Sequence, residues 1–442
     1  MRWRQVAEAV GLLDDGGVVR PTVFAEMSAL AARTGALNLG QGFPDVDGPA
    51  HVMAAAQAAL ASGCNQYAPG DGVPELRRAI AGHQRRHYGL TWDPDSEVLV
   101  TTGATEGIAA AVLALAGPGD EVVTLEPYYD SYAAVVAMAG ARLRTVPLAL
   151  VPAQGAERSA DPGCGAVAAH SAATTPQPVP VPGGGAGAAL GDGLRFRLDV
   201  AALRAAMGER TRVVLLNSPH NPTGAVLPPE DLAQVARLAV EAGAVVVTDE
   251  VYEHLTYGAR HVPVATLPGM AGRTLTVSSA GKTLSFTGWK VGWVTGPAEL
   301  VTAVRTVKQF LTYTSGAPLQ PAVAAALADA DGRVGEYVAA LRASLEARRD
   351  LLAAGLREVG FGVVVPDGGY FVVADAAPFA DDGAQLCREL PARAGVVAVP
   401  VSAFCRAGSP AAQRLRTWVR FTFVKREEVL VEALDRLRGL GA

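Results

Sequence analysis

The sequence of 442 residues is poor in cysteine, in net positive charge and in long apolar runs. Its four cysteines (Cys64, Cys164, Cys387 and Cys405) form no CxxC pair and no zinc-ligand spacing. We therefore expect free thiols, a reducing compartment and no metal site. The net charge of −5 supplies no basic field, which argues against nucleic acid and against an anionic membrane as partners.

Apolar runs of membrane-spanning length are also missing. The longest runs, such as residues 108–116, are less than half as long as a bilayer crossing requires. Glu8, Asp14 and Asp15 interrupt the N-terminal stretch in which a signal peptide would need an apolar core. We therefore expect a soluble, cytoplasmic protein.

The sequence does contain alternating strand and helix patterns between about residues 98 and 296. The predicted strands, which are apolar throughout and rich in β-branched residues, are 98–102, 121–125, 213–217, 244–249 and 274–279. Fully apolar strands separated by helices predict an α/β fold with a large, doubly wound, mostly parallel sheet. In such sheets ligands bind at the carboxyl ends of the strands.

The C-terminal part has a different pattern. A long amphipathic stretch covers 334–356, and the elements predicted after it are strands at 361–365, 370–375 and 419–423 and a helix at 426–439. This pattern predicts a smaller α+β domain. We expect a large domain over 46–300, with the small domain formed by an N-terminal arm, 1–45, and by 301–442.

Residues 151–193 fit neither pattern. They contain 11 Ala, 9 Gly and 6 Pro and no aromatic residue. Such a composition buries too little surface to offset the entropy of ordering. We predict a disordered insertion in the large domain.

Polar motifs follow several of the predicted strands. They are TTGATEGI (101–108), EPYYDSY (126–132), NSPHNPTG (217–224), TDEVYEH (248–254) and SSAGKTLSFTGWKVGW (278–293). Together these motifs resemble the class I/II, fold-type I aminotransferases that depend on pyridoxal 5′-phosphate. Further matches lie at 37–45, 65–77 and 419–427, so the resemblance covers nearly the whole chain outside 151–193.

The resemblance implies a role for each residue around the cofactor ring. Lys282 would hold pyridoxal phosphate covalently and then move the proton at the substrate Cα. Asp249 would face the pyridine nitrogen and keep it protonated. Asn221 and Tyr252 would bind the 3′-oxygen, and Tyr129 would stack on the ring.

The same resemblance implies a phosphate site at the start of the helix that the sequence predicts to begin at Thr105. The residues expected there are Gly103, Ala104, Thr105, Ser279 and Lys290. The amide groups and the dipole of a helix start favour an anion. Tyr67 would reach this phosphate from the second subunit of a homodimer with shared active sites.

For the substrate, the resemblance implies that Arg420 holds the α-carboxylate through a two-pronged pair, helped by Gly42, Asn217 and Asn221. The implied reaction is amino transfer between an amino acid and a 2-oxo acid. The motifs are most similar to actinobacterial N-succinyldiaminopimelate aminotransferases of lysine biosynthesis, with 2-oxoglutarate as the second substrate. The alternatives are a kynurenine-, glutamine- or methionine-type aminotransferase, a cysteine-S-conjugate β-lyase, and, from another class, a regulatory protein with this fold.

Overall fold

The computed structural model describes residues 1–153 and 193–441. The α-helices in these residues are α1 Arg2–Ala9, α2 Val23–Thr34, α3 Ala50–Ala61, α4 Pro74–Tyr88, α5 Gly103–Leu115, α6 Ser131–Ala139, α7 Val200–Ala206, α8 Pro229–Glu241, α9 Ala280–Thr283, α10 Ala298–Leu311, α11 Gln320–Ala328, α12 Arg333–Val359, α13 Gly383–Ala394, α14 Pro410–Arg414 and α15 Glu427–Leu437. The strands are β1 Leu37–Asn38, β2 Val98–Thr102, β3 Glu121–Glu126, β4 Arg142–Pro147, β5 Ala149–Pro152, β6 Leu194–Arg197, β7 Thr211–Asn217, β8 Val245–Asp249, β9 Thr274–Ser279, β10 Val291–Thr295, β11 Gly362–Val364, β12 Phe371–Asp375, β13 Val396–Val397, β14 Val399–Pro400 and β15 Trp418–Thr422. Among the residues described, no helix combines the length and the apolar character that a bilayer crossing requires.

Seven strands form one sheet in the order β2-β10-β9-β8-β7-β3-β4. The pairs from β9 through β4 are parallel, whereas β10 runs antiparallel to both of its neighbours. Alternate residues of β7 pack on opposite sides of the sheet: Val213 and Leu215 join the cluster of α5 and α6, and Val214 and Leu216 join that of α8. Both faces are therefore covered by helices, and the predicted α/β architecture is confirmed.

A second sheet of four strands has the order β11-β12-β15-β14, with antiparallel pairing throughout. Helices α12 and α15 pack on it, through Leu352 and Leu434 among others. The N-terminal strand β1 pairs in parallel with β13. This pairing joins the N-terminal segment to the C-terminal part of the chain. The domain boundaries at 45/46 and 300/301 stay predictions.

The structure differs from the predicted elements in several places. Strands β4 and β10 and the β5–β6 hairpin were not predicted, and α5 begins at Gly103 and not at Thr105. Val151 and Pro152 belong to β5, so the predicted insertion began two residues too early. The rest of that prediction falls on 154–192, which lie outside the described residues.

The carboxyl ends of the parallel strands bring the polar motifs together. Strands β7 and β8 are neighbours in register, with Asn217 opposite Asp249, and Asp249 lies opposite Val277 of β9. The chain then enters α9, which carries Lys282. One edge of the large sheet thus gathers side chains from three sequence motifs.

We predict that Gly292→Ala in β10 destabilises the protein. A Cβ at this position would lie 2.5 Å from the carbonyl carbon of Gly103 and 2.8 Å from the nitrogen of Ala104. Overpacking against backbone at the start of α5 should cost about 1–3 kcal/mol of unfolding free energy. Urea denaturation measures this cost.

The matched control is Gly288→Ala, because a Cβ there meets no atom within 4 Å. It should stay within about 0.5 kcal/mol of the parent. Equal unfolding free energies for the two variants would contradict the close approach of β10 to α5.

Candidate active site

A cavity of about 190 Å³ lies at the carboxyl ends of β7, β8 and β9, against the start of α5. The predicted site residues that line it are Gly103, Ala104, Thr105, Tyr129, Asn217, Asn221, Asp249, Tyr252, Ser279, Lys282 and Lys290. Residues of the lining that the motifs did not single out are Ile108, Val251, Gly281, Thr287 and Val291. The structure therefore brings together most of the predicted set, and Tyr67, Gly42 and Arg420 lie outside the lining.

Asp249 is a buried carboxylate at the end of β8. The Tyr132 hydroxyl donates a hydrogen bond of 2.7 Å to its Oδ2, and the Val251 amide donates one of 3.3 Å to its Oδ1. Burial raises the pKa of Asp249 to about 6, against the opposing effect of the Tyr132 hydrogen bond. Among the residues described, no cation lies within ion-pair distance of this carboxylate. It is an anion held ready for a partner from outside the chain.

Tyr132 was not predicted as a site residue. It lies in the EPYYDSY motif one helical turn after Tyr129, and its ring packs edge-on against Tyr129 at 5.8 Å. Burial raises the pKa of Tyr129 to about 12, so both phenols stay protonated at neutral pH. The position of Tyr132 on the inner face of α6 was the available signal, since such a phenol needs a hydrogen-bond acceptor.

Lys282 reaches the cavity from the short helix α9. Its Nζ lies 5.8 Å from the ring centre of Tyr252 and 5.6 Å from that of Tyr370. Burial, together with the neighbouring Tyr370, raises the pKa of Tyr252 well above its usual value, so its hydroxyl remains a hydrogen-bond donor. The lysine amine therefore lies in an aromatic setting beside a permanent donor.

The start of α5 forms an anion cradle with Lys290. Gly103 has a φ of 70°, and a Cβ on it would lie 3.2 Å from Cε and 3.3 Å from Nζ of Lys290. The lysine amine thus lies directly over the first turn of the helix. Burial and the charge of Lys282 lower the pKa of Lys290, which shows that the two amines repel each other. An anion at this position would relieve that repulsion and meet the free amides of the helix start.

Arg420 is a fully buried cation on β15. Its Nη1 donates to Asn221 Oδ1 at 2.9 Å, its Nη2 donates to Gly40 O at 2.7 Å, and its Nε has no hydrogen-bond partner. The guanidinium carbon lies 3.8 Å from the ring centre of Phe371. Burial lowers the pKa of Arg420 to about 10, and no carboxylate of the described chain pairs with it within 4.0 Å. Arg420 reaches the cavity lining through Asn221.

Asn217, Gly42 and Tyr67, which were predicted as site residues, make contacts in the structure that were not predicted. Asn217 donates from Nδ2 to Asp249 O and accepts the Asn221 amide at 2.6 Å, so its side chain positions the turn. Gly42 accepts the hydroxyl of Tyr370 at 2.6 Å on its carbonyl oxygen. Tyr67 is 83% exposed and packs edge-on against Tyr313, away from the cavity of its own chain.

The geometry agrees with three comparisons. The family model for aminotransferase class I and II matches residues 34–162 and 190–437. A Mycobacterium tuberculosis protein named "Probable N-succinyldiaminopimelate aminotransferase DapC" is 53% identical over 425 residues, which are 95% of this chain and 96% of that protein. Kynurenine–oxoglutarate transaminase 3 of Mus musculus is 35% identical over 94% of this chain and 87% of its own length.

A solved structure gives the same result at the level of the fold. The N-succinyldiaminopimelate aminotransferase from Mycobacterium tuberculosis superposes with a TM-score of 0.82 at 53% identity, covering 95% of this chain and 97% of that one. The family model and this relative each cover far more than half of the chain. The chain therefore belongs to the class I and II aminotransferases.

Proposed function

We propose that this chain binds pyridoxal 5′-phosphate in the cavity at the carboxyl ends of β7–β9 and transfers the amino group of N-succinyldiaminopimelate to 2-oxoglutarate. The observation that carries the proposal is the union of three groups in one cavity. They are the anion cradle of α5 with Lys290, the buried carboxylate of Asp249, and the amine of Lys282. The phosphate of this cofactor matches the anion cradle, its protonated ring nitrogen matches Asp249, and its aldehyde matches the amine of Lys282.

The residues of the cavity fit the cofactor by their chemistry. The cradle at Gly103–Thr105 would hold the phosphate with Ser279 and Lys290. Asp249 has no ion pair of its own, so it can stabilise a protonated pyridine nitrogen. When bound, pyridoxal phosphate supplies an electron sink for the negative charge that develops on the substrate Cα.

Different side chains of the cavity would perform the separate tasks of the reaction. Lys282 would carry the cofactor and move the proton at the substrate Cα, because its amine lies in the cavity, 5.8 Å from the ring centre of Tyr252. Asn221 and Tyr252 would orient the 3′-oxygen, and Tyr129 would stack on the ring. A tyrosine whose pKa is raised by burial donates a hydrogen bond without losing its proton.

Arg420 would bind the substrate α-carboxylate. Its protein hydrogen bonds use one N–H each of Nη1 and Nη2, which leaves three of its five donors, Nε–H among them, for a ligand. A buried, unpaired guanidinium gains most from a carboxylate, because its desolvation has already occurred. This recognition is common to every α-amino acid, so it selects the class of substrate and not its distal group.

The second subunit of a homodimer would complete the site through Tyr67. Tyr67 is 83% exposed, and the nearby apolar side chains of Phe310 and Leu311 are 87% and 49% exposed. The edge-on contact of Tyr67 with Tyr313 holds its ring at this surface. An exposed aromatic patch of this kind favours burial against a second copy.

The choice of N-succinyldiaminopimelate rests on the relative from Mycobacterium tuberculosis, which is 53% identical over 95% of this chain. The runner-up is a kynurenine-type aminotransferase, favoured by the 35% identity to the mouse enzyme. Both readings use the same catalytic set. The two activities would differ in the residues that contact the distal end of the substrate.

We predict that Lys282→Ala loses both the covalent hold on the cofactor and the proton transfer. Turnover should fall more than ~10³-fold, about 4 kcal/mol of barrier. Borohydride reduction followed by peptide mass spectrometry should find the cofactor on Lys282 in the parent and on no peptide in the variant. The contrast is Lys290→Met, which should weaken cofactor affinity and keep the borohydride-trapped bond at Lys282. Near-normal turnover of Lys282→Ala would contradict the assignment.

Asp249→Asn and Arg420→Lys should have different kinetic effects, because the first changes the electron demand of the cofactor ring and the second changes the binding of the substrate carboxylate. An amide cannot keep the pyridine nitrogen protonated, so Asp249→Asn should lower kcat by about 10²-fold or more and change KM far less. Lysine keeps the charge at 420 but loses the two-pronged pair, so Arg420→Lys should act mainly on the KM of the amino donor. Steady-state kinetics with varied donor measure both. Small and equal effects in the two variants would disprove these roles.

The substrate is tested with N-succinyldiaminopimelate, kynurenine, methionine and glutamine as competing donors. We expect N-succinyldiaminopimelate to lead in kcat/KM by tenfold or more, about 1.4 kcal/mol of transition-state binding. Arg420→Lys is the control, because it should lower all four values by a similar factor. A tenfold lead of kynurenine or glutamine would overturn the substrate assignment and leave the aminotransferase class unaffected.

A further inference from the structure

A second cavity of about 690 Å³ lies behind the wall of the active site. Ser279 lines both cavities, and Ala280 and Leu284 of the same segment line the second one. The segment that carries Lys282 therefore separates the two spaces. None of the side chains proposed for the cofactor or the substrate, apart from Ser279, lines this second cavity.

Three histidines converge in this second cavity. His83 and His87 lie one turn apart on α4 and so share a face, and His254 comes from the chain after β8. The ligand atoms of the three side chains lie within 4.8 Å of one another. His83 is buried and His87 is exposed, so the cluster connects the protein interior with solvent.

His83 and His254 lie close enough for both imidazoles to bind the same cation. His83 Nε2 and His254 Nε2 face each other at 2.8 Å, so a single proton must serve both nitrogens. One of the two nitrogens must therefore present its lone pair, which is the part of a histidine that binds a metal ion.

A carboxylate stands next to the three rings. Glu253 is 5% exposed, and its Oε1 accepts the hydroxyl of Ser278 at 2.6 Å. Its Oε2 lies 4.0 Å from His254 Nε2, and the Tyr88 hydroxyl lies within hydrogen-bonding reach of the same carboxylate. Glu253 thus places a carboxylate beside the three imidazoles, which would favour a cation there.

We propose that His83, His87 and His254, with Glu253 as the fourth ligand, bind a divalent transition-metal ion of the zinc class. Zinc binds imidazole nitrogen at about 2.0–2.1 Å, which separates neighbouring ligands of a tetrahedral site by about 3.4 Å. The 2.8 Å contact of His83 with His254 must open slightly, and the wider separations among the three imidazoles, which reach at most 4.8 Å, must close. Glu253 Oε2, which lies 4.0 Å from His254 Nε2, must also approach the metal. Side-chain rotation supplies these movements. The proton shared by the two facing nitrogens moves to Nδ1 of its own ring as the metal binds, so that both rings bind as neutral imidazoles.

The ligand set selects the metal. Three imidazoles and one carboxylate suit Zn²⁺, Co²⁺ or Ni²⁺ better than Mg²⁺ or Ca²⁺, which prefer an all-oxygen shell. Cysteine spacing predicted no metal site, because the ligands here are histidines from two distant motifs. The signal that sequence reasoning missed is the HxxxH spacing of His83 and His87 on a helix, which places both rings on one face.

The experiment uses the full-length holoenzyme without a histidine tag, stripped by a chelator and dialysed against ZnCl₂ in buffer free of phosphate and amino acids. Elemental analysis should find one zinc per chain. Titration calorimetry should show about 100-fold or greater loss of affinity in His87→Ala and in His254→Gln. The matched controls are His51→Ala and Cys64→Ser, a histidine outside the cluster and an exposed thiol, and both should retain the site.

Replacing zinc by Co²⁺ gives a second readout that needs no variant. Cobalt in a four-coordinate site absorbs strongly in the visible range, whereas cobalt held loosely with six waters and surface ligands absorbs weakly. The proposal predicts the strong spectrum in the parent protein. It is overturned by a weak spectrum, by the absence of stoichiometric zinc, or by binding that survives in folded His87→Ala and His254→Gln. Loss of zinc in Cys64→Ser alone would assign the metal to the thiol instead.

Discussion

The register of β7 against β8 is the constraint on which the active site depends. It places Asn217 opposite Asp249, and the Asn217 side chain then bonds to the Asp249 carbonyl oxygen and to the Asn221 amide. Asn221 in turn accepts from Arg420, which donates to Gly40. One chain of hydrogen bonds thus links the large sheet, the turn after β7, the small sheet and the N-terminal segment. A slip of one residue would turn Asp249 to the opposite face and break every later link.

Two buried charges without ion pairs give this framework its chemistry. Burial destabilises the charged form of each group, and it therefore raises the pKa of Asp249 to about 6 and lowers the pKa of Arg420 to about 10. Leaving a charge buried and unpaired costs more than pairing it. The chain tolerates two such charges because a ring cation and a substrate carboxylate are the groups that would pair with them. Folding has already removed water from both charged side chains. The binding of each ligand therefore does not include the free-energy cost of that desolvation.

Local sequence patterns predicted the strands at 98–102 and 274–279 with their observed bounds, because a short run rich in β-branched residues is a local signal. The motifs at the strand ends predicted most of the cavity lining for the same reason. Tyr132, Tyr370 and the histidine cluster were missed because their partners are distant in the chain: Tyr132 bonds to Asp249, and Tyr370 bonds to Gly42. The antiparallel direction of β10 was equally hidden, since direction is set by the neighbours of a strand and not by its composition.

The end of β8 and the turn that follows it line two cavities, because successive side chains of this turn point to different sides. Asp249 and Tyr252, three positions apart, face the cofactor cavity, whereas Glu253 and His254 face the second one. Ser278, at the end of β9, bonds to Glu253, and Lys282 follows it by four residues. Lys282 is therefore supported from behind by the same carboxylate that stands next to the histidines. The Ser278–Glu253 hydrogen bond thus joins the walls of the two cavities, whose lining side chains differ in chemistry.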